Sequence, residues 1–468
     1  MKDLTTGKEG NVILHFAMPM LLGNLFQQTY SFFDSIIVGR LIGDEALAAV
    51  GASFPIIFAL ISFVIGIASG GTIVISQYFG AKDYSNVKKA IDTILIFVFA
   101  MSIIIMVVGI TFSRQIFELT GLPDEVIPYA TVYLNIFLCG TILLFGFNGV
   151  SAILRGTGDS KTPLYFIISA SVLNIALDYI FIKFFNWGIR GAALATVIAH
   201  GSTFLAAAIY LNKTHKLIRI SFTKMTFDIK VFFQSLRIGL PSGFQQTFVS
   251  FGMIALYVIV NHFDTNVITA YSAAGRIDNL AMLPAMTFGQ ALSTFVGQNV
   301  GAGKIDRVIK GLKSTLKISI SVSLIITTIV VLFRYKLMGF FSKSPDVVSV
   351  GAEYLVIVSS AYFIFSIMFS LNGIMRGSGD TLVPMFITLF SLWIIRIPIA
   401  SLLTGRFYTF LTEKGINIHM PEIFTGSLAE RGVWLAVPIA WAAGAVFSFI
   451  YFKTGRWKKK GVIKQIPE

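Results

Sequence analysis

The chain contains one cysteine, Cys139, so an intrachain disulfide is excluded. Its five histidines, His15, His200, His215, His262 and His419, nowhere fall at a metal-ligand spacing, which argues against a zinc or iron centre. Charge is scarce too: 13% of the 468 residues are Asp, Glu, Lys or Arg, against about 25% in an ordinary soluble domain. There is no Walker A loop, since the nearest approach, Gly303-Lys304, is followed by Ile305 and has Gln298 where the first glycine belongs. ATP is therefore not the expected energy source. No nucleophile–base pair or metal motif points to a membrane-embedded enzyme, and no cleavable signal peptide is expected because the first apolar segment is too long.

What the sequence has is apolar length. Hydrophobic residues make up 55% of it, and stretches such as 90–112 and 311–333 carry little charge over the roughly 20 residues needed to cross hydrocarbon. The 44 Phe and 14 Met suit lipid contact and adaptable packing. The pattern predicts an all-α polytopic membrane protein of twelve transmembrane helices, at roughly 12–38, 48–78, 90–112, 127–153, 163–184, 190–211, 236–261, 267–298, 311–333, 350–374, 384–408 and 432–452. The second and eighth are longer than a bilayer requires.

Twelve spans place both termini on one side. The terminal segments, the loops on that side and the span ends next to them hold 25 of the 37 Lys and Arg, against ten on the opposite side and two, Arg276 and Arg396, deep inside spans. The positive-inside bias puts both termini in the cytoplasm of a bacterial inner membrane. It also accounts for the net charge of +14 without nucleic acid, because the basic loops face anionic headgroups and no recognition fold is visible among them.

The two halves repeat at an offset of 221 residues. Arg155-Gly-Thr-Gly-Asp159 returns as Arg376-Gly-Ser-Gly-Asp380, Gln77-Tyr-Phe-Gly-Ala81 as Gln298-Asn-Val-Gly-Ala302, and Pro163 as Pro384; Pro19 and Pro241 match at 222. Arg190-Gly191 answers Arg431-Gly432 only after some twenty further residues, assigned to an external loop around Lys414 to Glu430. Six spans per half insert with the same orientation, giving two parallel-repeat lobes around a central cavity. The expected division is an N-terminal lobe over 1–211, a basic cytoplasmic linker over 212–235 and a C-terminal lobe with a basic tail over 236–468. The RGxGD loops read most simply as turn glycines beside a positive-inside arginine.

Polar residues deep in spans carry the chemistry, because a charge at mid-membrane costs at least ~2.5–3.5 kcal/mol. Gln27, Tyr30 and Asp34 stand at i, i+3 and i+7 on one face of the first helix; Ser171, Asn174 and Asp178 repeat that spacing in the fifth; Thr196 and His200 are i, i+4 in the sixth. Two carboxylates, an amide and a hydroxyl are hard oxygen ligands of the kind that hold Na⁺ or trade it for H⁺. The repeat supplies an internal control. Asn174 and Asp178 correspond to Ile395 and Ile399, Asp34 to Ala255 or Leu256, and Thr196 to Val437. A polar set present in only one half favours one functional ion site. Arg276 and Asp278, at i, i+2, do not face each other on a regular helix, and whether they pair elsewhere or line a C-lobe cavity stays open.

Pro19…Gln27-x-x-Tyr30-x-x-x-Asp34, the RGxGD loops and Asn174-Ile-Ala-Leu-Asp178, taken together, resemble the multidrug and toxic compound extrusion (MATE) transporters, in their DinF-like branch, over essentially the whole chain. The resemblance implies a cation site at Asp34, Asn174, Asp178 and Thr196, a first-helix bend at Pro19, and N-lobe cavity residues Gln27, Tyr30, Tyr133, Asn148 and Ser171. The carboxylates that the NorM-like branch uses in spans seven and ten have no counterparts here, the tenth span having only Glu353 near its outer end. The expected activity is antiport: amphipathic, often cationic organic compounds leave by alternating access in exchange for H⁺ or Na⁺, with no cofactor, in a monomer surrounded by lipid. A flippase of lipid-linked saccharides is the alternative of the same architecture, but it would need a more cationic cavity than Arg276 and Arg396 provide.

Overall fold

The computed structural model describes residues 2–214, 219, 225–407 and 427–463, which leaves 215–218 and 220–224 of the expected linker and most of the extra external loop outside the described residues. In chain order the helices are α1 (Glu9–Leu41), α2 (Asp44–Gly80), α3 (Tyr84–Leu119), α4 (Ile127–Cys139), α5 (Thr141–Gly156), α6 (Lys161–Tyr179) and α7 (Gly188–Thr214) in the first half. The second half follows with α8 (Ile229–Val260), α9 (Thr265–Gly301), α10 (Ile305–Gly339), α11 (Pro345–Ser359), α12 (Tyr362–Gly377), α13 (Leu382–Leu389), α14 (Ile397–Leu403) and α15 (Ser427–Thr454). No strand occurs among the described residues.

Nine spans are long and apolar enough to cross a membrane, and two bent helix pairs raise that to eleven among the described residues. Helix α1 is 33 residues long, or about 50 Å at 1.5 Å per residue, ample for a crossing. Pro19 lies inside it without interrupting it.

The fourth span of each half, read from hydropathy as one helix, is broken: α4 meets α5 at 49° and α11 meets α12 at 45°. At the first break the Thr141 hydroxyl donates to the Leu138 carbonyl at 2.6 Å, and a Cβ on Gly140 would stand 2.3 Å from Val197. At the second, Thr327 of α10 donates to the Ser359 carbonyl at 2.7 Å. Side-chain donors entering the carbonyl ladder are a recognised cause of kinks. The fifth span of each half carries a wide turn, Ile180–Phe184 after α6 and Phe390–Arg396 between α13 and α14. The repeat thus extends to the irregularities.

Three apolar clusters organise the molecule. One joins α2 to α5 and α7 around Val74, Ile91, Leu95 and Phe145; the second joins α9, α11, α12 and α15 around Tyr354, Tyr362 and Trp434. The third lies between the lobes, where Leu4, Ile13 and Phe16 meet Phe288, Phe295 and Trp457. Long side chains such as Leu332, Phe386 and Ile450 remain exposed on the outside, as a lipid-facing surface requires.

The lobes share their most extensive contact where α2 runs along α8. Gly66 and Gly70 on α2 face Gly239 and Gly243 on α8: a Cβ on Gly70 would stand 2.4 Å from the Ser235 carbonyl oxygen, and one on Gly66 2.4 Å from the Gly243 nitrogen. Each helix carries a Gly-x-x-x-Gly pair, and small residues let backbones touch where lipid offers no hydrophobic drive to associate. Gly70→Val is therefore expected to destabilise by about 1–3 kcal/mol through overpacking, whereas Gly339→Ala, whose Cβ would meet nothing within 4 Å, stays near neutral. Thermal unfolding of the purified variants in detergent checks the pair, and equal midpoints would contradict the seam.

Candidate functional site

The polar face of α1 points Asp34 toward α6, and there its carboxyl lies against that of Asp178. Asp178 is fully buried. Neither of its oxygens, nor Oδ1 of Asp34, has a hydrogen-bond partner among the described residues. Two ionised carboxylates cannot satisfy one another, since neither carries a donor; a single proton between them makes one carboxyl the donor to the other.

One turn back on α6, Asn174 donates from Nδ2 to Thr196 Oγ1 of α7 at 3.3 Å, while its own Oδ1 is buried without a partner. Thr196 in turn donates to the Ala192 carbonyl at 3.1 Å, which leaves its oxygen lone pairs as acceptors. Tyr133, buried on α4, sits within electrostatic reach of Asp34, Tyr30 and Asp178. The set is therefore assembled from α1, α4, α6 and α7, all of the first half, and α6 passes into its wide turn at Ile180, two residues beyond Asp178. Such turns are frequent at functional sites.

Other candidates stand apart. Ser171 spends its hydroxyl on the Ile167 carbonyl at 2.8 Å, and Asn148 donates to the Leu144 carbonyl at 3.0 Å, each on its own helix. Gln27 is exposed on α1 and Tyr30 is half-buried. His200 lines a narrow cleft with Thr196, Phe137, Gly140 and Leu144, beside the α4–α5 break. Sequence reasoning passed over Thr131 and Asn135 of α4, whose side-chain oxygens are also buried without partners; their i, i+4 spacing in an apolar helix was the available signal.

The second half treats its buried acid differently. Asp278 of α9 receives hydrogen bonds from the hydroxyls of Tyr354, at 2.5 Å, and Tyr362, and the Arg396 guanidinium adds its charge nearby. Trp434 packs on Tyr354 and Tyr271, ring centroids 4.9 and 5.6 Å apart. Arg276 takes no part in this; it is exposed on α9, and Glu353 is paired with Arg431. Asp278 is thus a carboxylate with its partners supplied.

Two repeat-related lobes of membrane-crossing helices, meeting along a glycine seam, define a polytopic membrane transporter rather than an enzyme. The profile described as MatE matches residues 19–180 and again 241–402, once in each half, and the chain belongs to the MatE family. It is 32% identical over 457 residues to the probable multidrug resistance protein YpnP of Bacillus subtilis (strain 168), covering 97% of both chains. With the probable multidrug resistance protein YoeA of the same organism it shares 32% over 462 residues, 96% of this chain and 95% of that one. A solved outward-facing conformation of a multidrug resistance MATE family transporter of the MOP superfamily superposes with a TM-score of 0.87 at 23% identity, covering 97% of each chain, which establishes the shared fold.

The contrast between the acids predicts opposite stability effects. Asp278→Leu leaves two buried tyrosine hydroxyls without acceptors and is expected to destabilise by about 1–3 kcal/mol or more. Asp178→Asn removes a buried charge that has no partner, and is expected to leave stability unchanged or raised. Thermal unfolding of the two variants in detergent decides; a loss for Asp178→Asn matching that for Asp278→Leu would remove the distinction.

Proposed function

We propose that the chain is a secondary antiporter that exports amphipathic, often cationic organic compounds in exchange for H⁺ or Na⁺, bound as cargo at Asp34, Asn174, Asp178 and Thr196. The observation that carries this reading is the apposition of two carboxyls in which both oxygens of Asp178 and Oδ1 of Asp34, together with Oδ1 of Asn174, are buried without hydrogen-bond partners among the described residues. A proton shared between the acids satisfies them, and so does a cation with hard oxygen ligands. The two are mutually exclusive ways of neutralising one site, which is what an ion-exchange step requires. The names of YpnP and YoeA support the substrate class, and the DinF-like branch is supported by a seventh span without a carboxylate and a tenth, over 350–374, with only Glu353 near its outer end. Gln27, Tyr30, Tyr133, Asn148 and Ser171 would line the N-lobe route, and Pro19 would serve as the flexible point of α1. The working unit in this reading is the monomer, with residues 1–211 and 236–468 as lobes joined through 212–235.

Purified protein in liposomes is expected to move a cationic dye when a proton or sodium gradient is imposed, without nucleotide. Asp34→Asn or Asp178→Asn should abolish gradient-driven movement while the protein still inserts; Asn174→Ala and Thr196→Ala, each removing one neutral ligand, should reduce it about tenfold or less. Full coupling in the double variant Asp34→Asn, Asp178→Asn would refute the assignment. Separate proton and sodium gradients identify the ion.

We also place the chain in the bacterial inner membrane with both termini in the cytoplasm, on the basis of the 25-to-ten distribution of Lys and Arg. Tags at either end are expected to resist membrane-impermeant reagents in intact cells. Labelling of a C-terminal tag from outside would reverse the topology.

A further inference from the structure

The repeated Gln-x-x-Gly-Ala and RGxGD motifs meet at the terminus-bearing face, and they meet across the lobes. Gln77, near the end of α2, donates from Nε2 to the Gly377 carbonyl of the second lobe at 3.0 Å. Gln298, its repeat mate near the end of α9, donates to the Gly156 carbonyl of the first lobe at 3.1 Å. Both glutamines are fully buried, and in each the side-chain oxygen is taken by a terminal segment arriving from the far end of the sequence. Leu4 N–H donates to Gln298 Oε1 at 2.9 Å and Val462 N–H to Gln77 Oε1 at 2.6 Å. All four bonds cross from one lobe to the other.

The surrounding glycines are what this closure demands. A Cβ on Gly80 would stand 1.9 Å from the Gln298 carbonyl oxygen, and one on Gly301 1.9 Å from that of Gln77, so α2 and α9 touch backbone to backbone. The second glycine of each RGxGD loop has positive φ, +84° at Gly158 and +94° at Gly379, a conformation that favours glycine. Each is also capped by a terminal segment: a Cβ on Gly158 would lie 2.0 Å from the Lys2 carbonyl oxygen, and one on Gly379 2.9 Å from that of Lys460.

We propose that Gln77 and Gln298, each closed by the terminal segment that crosses to it, form a latch holding the two lobes together on the terminus-bearing face, and that release of each segment favours opening of this face. The chemistry suits a reversible contact. A primary amide spends one donor and one acceptor across the seam, and on opening it exchanges both for water at small net cost, because protein–water bonds replace protein–protein ones. A buried ion pair in the same place would be far harder to part. The two-fold arrangement makes the halves of the latch equivalent in type, so losing one weakens the closed state and losing both removes its specific bonds. This goes beyond the coupling reaction and rests on alternating access alone.

The test measures the opening directly. In a Cys139→Ser background, spin labels at Ser85→Cys and Asp306→Cys report the separation of the lobes on this face; both positions are exposed and related by the 221-residue offset. In liposomes without substrate or an imposed gradient, electron–electron distance measurement is expected to give one short population for the labelled parent. Gln77→Ala with Gln298→Ala, which removes all four bonds, should raise the share of a longer distance about tenfold or more, and separately a chain ending at Lys460, which loses the bond from Val462, should raise it about threefold. The single substitutions should give intermediate shares. The truncation leaves every membrane helix intact, so it decides the matter if the double variant does not fold. A structural role alone would lower thermal stability and leave the distances of the folded protein as in the parent; that outcome in the truncated chain overturns the latch. Neither arm depends on which ion is coupled, so a failure of the cation assignment does not move this readout.

Discussion

A carboxylate carried into the membrane interior must find a hydrogen-bond donor, a cation or a proton, because hydrocarbon supplies none of them. Among the described residues, Asp34, Asp178 and Asp278 are such acids, and they are treated in two ways. Asp278 is met by two tyrosine hydroxyls with a guanidinium nearby, an arrangement complete within the protein. Asp34 and Asp178 are set against each other with oxygens unpartnered, which only something from outside the fold can complete. Backbone groups are satisfied within the helices, so among the described acids this pair is left needing a partner that the fold does not supply.

The repeat sharpens that point. Both halves keep the broken fourth span, the wide turn in the fifth, the proline of the first and the RGxGD loop after the fourth. These shared features set the shape of a lobe, and their persistence in both halves shows that shape alone does not require Asp34, Asn174, Asp178 or Thr196. The seam glycines are not repeat mates: Gly66 and Gly70 of α2 meet Gly239 and Gly243 of α8 across the lobes, although the 221-residue offset takes them to Thr287 and Ala291. Architecture is held in common, while the unpaired polar atoms of the site fall on one side.

How much of this could be read beforehand follows from the range over which each signal acts. The spans were visible because hydropathy sums over some twenty adjacent residues, and the repeat because its motifs are short and intact. The faces of α1 and α6 were visible because i, i+3, i+7 spacing is local. Asp278 stayed ambiguous because its partners lie 76 and 84 residues away, and only the fold brings them in. The bend at Ser359 escaped notice because no proline or glycine marks it; Thr327, 32 residues earlier, makes it by taking a carbonyl. The RGxGD loops were underread for a related reason. Turn chemistry explains a positive φ, but nothing local reveals that Lys2 or Lys460 covers the glycine.

Site and seam are connected through α1, on the reading proposed above. Near its middle α1 lies against α6, where a Cβ on Gly23 would stand 3.3 Å from Ile167, and Asn24 donates to Thr287 of α9 in the opposite lobe at 3.0 Å. Asp34 is ten residues further along the same helix, about 15 Å at the usual rise. A proton or cation that draws Asp34 toward Asp178 therefore acts on a helix that also carries a cross-lobe bond and begins at the terminal segment gripping Gln298. Because α1 contains Pro19, which removes one backbone donor from its interior, it is not obliged to move as a rigid rod. Ligand binding at one end can then bias the lobe contact at the other only if the two states of the site hold α1 differently. The unpartnered oxygens supply that difference, since their partners are present in one state and absent in the other.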